Sequence, residues 1–225
     1  MNHLLFALIA AFILGLIAVK LLIPLLVRLK FGQNIRGEGP QRHLQKSGTP
    51  TMGGLAFIAV LIVATLIYGV YDMVSLVACG ITILYGCLGF CDDFIKTVRK
   101  RSLGLRAYQK MLGEIIIAAL LIFLAVVVLD RGTSLHVFGA GFKEIGVFYY
   151  ILAFLLIAGV TNGVNLNDGL DGLAAGVSFF VFLGYGMICY WCISHPPFPS
   201  VNYSALTVFA GIMAGICLAF LFFKH

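Results

Sequence analysis

The chain has 225 residues, of which 61% are hydrophobic and 11% are charged, and its mean hydropathy is +1.06. An ordinary soluble domain carries about 25% charged residues, so the composition excludes a water-soluble globular protein and indicates a polytopic integral membrane protein. The formal net charge is +6. Because the basic residues cluster between apolar segments, this charge reflects membrane topology and requires no nucleic-acid partner.

Apolar segments follow one another along the whole chain. A helix needs about 20 apolar residues to cross a bilayer, and the segments show no alternation typical of membrane-spanning strands. Two of them, both short, are separated by a tight turn at 69–72 and should form a helical hairpin. The sequence predicts an all-α transmembrane bundle, a single membrane domain over residues 1–225, with seven spans at 4–27, 52–70, 73–91, 111–129, 147–163, 173–193 and 203–223.

Lysine and arginine residues are distributed unevenly between the two sides of this bundle. Twelve of the fifteen lie after the first, third and seventh spans, two lie on the opposite side, and Lys20 lies within the first span. Because cytoplasmic loops carry the excess of basic residues, we expect the N-terminus outside and the loops at 28–51, 92–110 and 164–172 inside. On the outer side, the composition of 133–142 suggests a small hairpin.

The first polar group is the adjacent pair Asp92 and Asp93, placed at the end of the third span. An Asp at the bilayer centre costs roughly 2.5–3.5 kcal/mol, so the pair should lie at the interface or in a wet cleft. Two adjacent carboxylates repel each other unless a cation is near. Two interpretations remain open for the pair alone: a signal that ends the helix, or a site that holds a metal or meets basic neighbours.

Two further polar groups fall on the same side of the membrane. The segment 161–174 concentrates Asn, Asp and Gly, which favours a ligand site lined by irregular backbone over a plain loop. The segment 43–54 contains Lys46 and two adjacent glycines, but it lacks the Walker pattern of a phosphate loop. Carboxylates, amides and lysines together suit a phosphorylated, hydroxyl-rich substrate and a divalent cation.

Three ordered motifs carry a resemblance to a known family: 49–54 (TPTMGG), 92–96 (DDFIK) and 165–174 (NLNDGLDGLA). The chain resembles the phospho-N-acetylmuramoyl-pentapeptide transferases, polytopic enzymes of the polyprenyl-phosphate hexosamine-1-phosphate transferase superfamily. The resemblance implies transfer of phospho-N-acetylmuramoyl-pentapeptide from its UDP carrier to undecaprenyl phosphate, giving lipid I and UMP in peptidoglycan synthesis. It places the protein in the bacterial cytoplasmic (inner) membrane among its lipids, with the active face cytoplasmic, and it allows a homodimer.

The resemblance also implies roles for residues and a requirement for Mg2+. Asp92 would act as base or nucleophile on the polyprenyl phosphate, with Asp93 as its companion. Metal ligands would be Asp92, Asp93 and Asp168. The residues implied in substrate binding are four lysines for phosphates and four polar residues for the nucleotide sugar: Lys46, Lys96, Lys100, Lys110, Asn162, Asn165, Asp168 and Asp171.

The chain departs from the family pattern in several places. Asn167 stands where Thr is usual and Glu114 where Gln is common. Family members have about ten spans, and a further magnesium-binding Asp belongs to a motif expected beyond His225, so we expect these residues alone to be weakly active or inactive. The alternatives are a non-catalytic protein that binds polyprenyl phosphate, a related hexosamine-1-phosphate transferase of another glycan pathway, and a solute transporter. The transporter is disfavoured because its ionisable residues would lie near the midplane.

Overall fold

The computed structural model describes residues 2–28, 52–68, 71–99, 104–137, 141–167 and 172–223. Within these ranges the chain is almost entirely helical, which confirms the predicted all-α membrane bundle. The helices are α1 (Asn2–Arg28), α2 (Gly54–Tyr68), α3 (Met73–Val98), α4 (Ala107–Phe123, continued by a π-helical turn Leu124–Val128), α5 (Val147–Asn167), α6 (Leu173–Ser194) and α7 (Tyr203–Phe222).

Six of these helices are long and apolar enough to cross a membrane, and α2 is a shorter apolar helix of 15 residues. The expectation that the second and third spans are both short is therefore wrong for the third, since α3 has 26 residues. Asp72 begins α3, because its Oδ2 accepts hydrogen bonds from the backbone N–H groups of Val74 at 3.1 Å and Ser75 at 3.4 Å. This cap satisfies donors that the first turn of a helix leaves unpaired.

Two predicted helix ends need correction. The third span was predicted to end at residue 91, but α3 runs to Val98, so Asp92 and Asp93 lie within the helix and do not stop it. The fifth span was predicted to end at residue 163 and to be followed by irregular backbone, but α5 continues through Asn167. Both errors have one cause. Hydropathy registers only the apolar part of a helix, whereas backbone hydrogen bonds continue into its polar end.

Helix α7 is the centre of the bundle and packs most extensively against α1 and α6. It runs parallel to α1 at very close range, because small residues leave room for the backbones to approach. A Cβ atom at Gly211 would lie 2.7 Å from the carbonyl oxygen of Leu4, and one at Gly15 would lie 2.6 Å from the Cβ of Ala219. The buried core follows this seam and continues onto α2.

One end of the bundle carries the predicted hairpin, which is confirmed. Strands β1 (Ser134–Val137) and β2 (Gly141–Glu144) pair antiparallel, with Ser134 opposite Glu144. Arg131 anchors this hairpin end: its guanidinium lies 4.7 Å from the ring centre of Tyr149 and 4.4 Å from that of Phe198. Such cation–π contacts tie the start of α5 and the α6–α7 connection to the end of α4.

Candidate functional site

A cluster of two carboxylates and one amine occupies the last turns of α3. Residues three and four apart on a helix are neighbours, so Lys96 reaches both acidic side chains. Its Nζ lies 2.6 Å from Asp92 Oδ2 and 3.1 Å from Asp93 Oδ1. The predicted basic neighbour of the acidic pair is therefore Lys96, which offsets the repulsion between the two carboxylates.

The segment leading into α4 closes over Asp92. The backbone N–H of Leu105 donates a hydrogen bond of 2.8 Å to Asp92 Oδ1. Gly104 permits this approach, because a Cβ atom there would lie 2.5 Å from the carbonyl oxygen of Asp92 and would collide with its carboxylate. Asp92 therefore has partners on both of its carboxylate oxygens and lies close to the beginning of α4, where the helix dipole favours negative charge.

A second polar contact joins α4 to α5 at the same end of the bundle. Lys110 Nζ donates a hydrogen bond of 2.9 Å to Asn165 Oδ1. Because Asn165 is neutral, this contact orients the ammonium group without cancelling its charge. Lys110 therefore remains available for an anionic ligand, whereas Lys96 already faces two carboxylates.

A third contact lies one helical turn deeper. Asn162 Nδ2 donates a hydrogen bond of 3.0 Å to Glu114 Oε2, and the same nitrogen lies 2.9 Å from the carbonyl oxygen of Ala158 in its own helix. Glu114 is 5% exposed, so Asn162 meets a buried carboxylate. The sequence identified Asn162 as a site residue and Glu114 as a departure from the family pattern, but it did not pair them.

Six of the predicted site residues lie at this end of the bundle, hereafter the polar end: Asp92, Asp93, Lys96, Lys110, Asn162 and Asn165. The other four, Lys46, Lys100, Asp168 and Asp171, lie outside the described residues. Sequence reasoning missed Gly104 and the amide of Leu105. Neither the predicted spans nor the quoted motifs include these two residues, so no sequence signal pointed to them.

The donor set for a metal at the polar end is partial. Within the described ranges no group of three or more His, Cys, Asp or Glu side chains comes together. Two carboxylates are nevertheless what Mg2+ commonly takes from a protein, with water and substrate phosphates completing its octahedron. Asp92 and Asp93 therefore fit a magnesium ion shared with a phosphorylated ligand.

The described residues form a helical membrane bundle with paired carboxylates and lysines at one end, which defines the class as a polytopic membrane protein with a polar site at one end of its helices. The family model described as glycosyl transferase family 4 matches residues 73–225, and the model described as phospho-N-acetylmuramoyl-pentapeptide-transferase signature 1 matches residues 46–58. These ranges include α3 to α7 and the segment that contains Lys46.

Individual proteins similar to this chain identify the family more closely. The phospho-N-acetylmuramoyl-pentapeptide-transferase of Heliobacterium modesticaldum is 46% identical, over 100% of this chain and 68% of that protein. That of Desulfitobacterium hafniense is 46% identical, over 95% of this chain and 65% of that protein. That of Listeria monocytogenes is 42% identical, over 80% of this chain and 57% of that protein. The chain belongs to glycosyl transferase family 4 and, within it, to the phospho-N-acetylmuramoyl-pentapeptide transferases. It spans about two thirds of the length of the relatives it matches.

Proposed function

We propose that the protein transfers phospho-N-acetylmuramoyl-pentapeptide from its UDP carrier to undecaprenyl phosphate, giving lipid I and UMP in peptidoglycan synthesis. The observation that carries the proposal is the Asp92–Asp93–Lys96 cluster beside the Lys110–Asn165 contact. The proposed location is the bacterial cytoplasmic membrane, with the polar end facing the cytoplasm, where the nucleotide sugar is made. The homodimer that the resemblance allows stays a prediction.

The reaction exchanges one phosphate bond for another. An oxygen of undecaprenyl phosphate bonds to the sugar-linked phosphorus, and the bond from that phosphorus to UMP breaks. Catalysis of such transfers is mainly positioning and electrostatic stabilisation. Asp92 would either accept a proton from the lipid phosphate or attack the phosphorus itself, and the amide of Leu105 would hold its carboxylate in place.

Lys96 and Lys110 would have different roles in binding the phosphates. Lys110 faces only a neutral amide in the described part of the chain and is suited to a nucleotide phosphate. Lys96 contacts both Asp92 and Asp93. It would hold the two carboxylates in position before a phosphate binds. Mg2+, held by Asp92, Asp93 and Asp168, would supply neutralisation of the negative charge that develops on the phosphates.

A chimera tests the proposal. Residues 1–225 would replace the matching region of the Heliobacterium modesticaldum relative, and UMP release would be measured in detergent with both substrates and Mg2+. We expect turnover in the chimera and a loss of about 100-fold or more on Asp92→Asn, the range for a lost acid–base group. Lys143→Gln, in the hairpin at the opposite end, is the control that should keep full turnover. Near-normal turnover by Asp92→Asn would contradict the assignment.

The same assay separates the alternatives. A non-catalytic protein would bind undecaprenyl phosphate without releasing UMP, even in the chimera. A transferase of another glycan pathway would release UMP only from a different UDP-sugar. The 225-residue chain assayed alone tests the expectation of weak activity, because turnover there would show that its own carboxylates suffice.

A further inference from the structure

Glu114 is an ionisable side chain inside a membrane helix, and the transferase chemistry above does not use it. It is 5% exposed, and it accepts a hydrogen bond from Asn162 on α5. The hydroxyl of Tyr85 on α3 lies close enough to interact with it electrostatically. Ionisable residues within membrane helices are costly, and they persist where they pair with another polar group. The position of Glu114 and Asn162 on α4 and α5 indicates their role.

The Glu114–Asn162 contact is the deeper of two parallel contacts between α4 and α5. Glu114 follows Lys110 by one turn on α4, and Asn162 precedes Asn165 by about one turn on α5, so both contacts lie along the same helix–helix seam. Helix α5 has no buried residue and contacts α6 only weakly. The main described neighbour of α5 is therefore α4, and the two polar contacts lie in that interface.

We propose that Glu114 is a positioning residue: through Asn162 it fixes α5 against α4 and so holds Asn165 on Lys110. This inference deepens the proposed function, since Lys110 is a residue assigned there to phosphate binding. Loss of Glu114 leaves Asn162 bonded to the carbonyl of Ala158. The effect should therefore fall on the alignment of the two helices and not on the folding of α5.

The reactivity of Lys110 reports this alignment without any substrate. The purified full chain in detergent would be treated with an amine-reactive acetylating ester, and acetylation of Lys110 followed by mass spectrometry relative to the exposed Lys143. Glu114→Met removes the acceptor at similar length, whereas Glu114→Gln keeps an oxygen that Asn162 can reach. Asn165→Leu, which removes the direct partner of Lys110, sets the upper limit of the response.

We expect Glu114→Met and Asn162→Leu each to raise the relative rate at Lys110 about threefold, the factor that one average interhelical hydrogen bond contributes in a membrane protein. Glu114→Gln should restore the original rate. Thr82→Val is the matched control, because it removes a hydrogen bond internal to α3.

An unchanged Lys110 rate in both Glu114→Met and Asn162→Leu, with the expected rise in Asn165→Leu, would overturn the proposal. A rise in Glu114→Gln equal to that in Glu114→Met would also overturn it. Absence of UMP release from the chimera would count against the proposed function alone, since the labelling requires no turnover.

Discussion

Asp92 and Asp93 are neighbours in sequence but differ in their surroundings. The side chain of Asp92 is 16% exposed and that of Asp93 is 34% exposed. Asp92 contacts Lys96 and the amide of Leu105, whereas the described side-chain contact of Asp93 is to Lys96. The arrangement fixes the orientation of Asp92 more tightly, as expected for the carboxylate that must be aimed at a reacting phosphate.

Gly104 makes this orientation possible, and its substitution should disturb it. Gly104→Ala would place a methyl group against the carboxylate and carbonyl of Asp92, which should cost about 1–3 kcal/mol, as overpacking usually does. Unfolding of the chain in detergent by a denaturant titration measures this cost. Gly80→Ala in α3, where a Cβ meets no atom within 4 Å, is the control and should instead gain about 0.5–1 kcal/mol as a helical glycine replaced by alanine. Equal stability of the two variants would show that the close approach at Gly104 does not matter.

At the scale of helices, the close packing of α1 against α7 depends on glycines at their interface. A Cβ at Gly215 would lie 2.9 Å from the backbone nitrogen of Phe12 and would collide with the carbonyl of Leu8. In a membrane the association of helices depends on such close packing, because lipid gives no hydrophobic drive between them. The small residues of α7 therefore allow α1 to pack closely against it.

A leucine at this seam should separate the two helices. We expect Gly215→Leu to destabilise the chain by about 3 kcal/mol, at the upper end for overpacking, measured by unfolding in mixed detergent micelles. Gly184→Leu on α6 introduces the same side chain where a Cβ meets no atom within 4 Å, and it should lose no stability and gain about 0.5–1 kcal/mol, as a helical glycine replaced by a better helix former. Similar losses in both variants would point to a general effect of leucine and away from the seam.

The elements that the sequence predicted well are those set by local pattern. Apolar runs predicted the helices. For Asp92 and Asp93 the sequence left a metal or basic neighbours open, and the structure shows that Lys96 is such a neighbour. The pairing of Lys110 with Asn165 could not be predicted, because 55 residues separate them and only the packing of α4 on α5 brings them together. The hydrogen bond from the Leu105 amide to Asp92 could not be predicted either, because every residue except proline has a backbone N–H and only the fold shows which one meets Asp92.

At the scale of the whole molecule, the two ends of the bundle are chemically different. The polar end gathers the carboxylates, lysines and amides, while the hairpin end is held by Arg131 between aromatic rings. This polarity gives the orientation argument a direct test, because each end offers an exposed side chain for labelling.

Cysteine labelling distinguishes the two orientations. In a background without the native cysteines, Lys143→Cys should react with a membrane-impermeant maleimide in intact cells, because the excess of basic residues holds the polar end inside. Arg99→Cys, at the polar end, should react only after the membrane is permeabilised. The reverse pattern would contradict the proposed orientation and, with it, access of a cytoplasmic nucleotide sugar to the site.

The two contacts between α4 and α5 also bear on how the protein is made. Helix α4 emerges from the ribosome first, and it carries Glu114 and Lys110 before their partners on α5 exist. The connection from Val128 to Val147 forms its own hairpin, and α5 follows α4 directly in the chain, so α5 can insert alongside α4. Polar side chains that are costly in lipid singly become acceptable once paired. Helix α4 is apolar enough to insert by itself. We therefore expect a ribosome stalled after α4 to leave that helix in the bilayer with Glu114 lacking its Asn162 partner, and the arrival of α5 to stabilise it there.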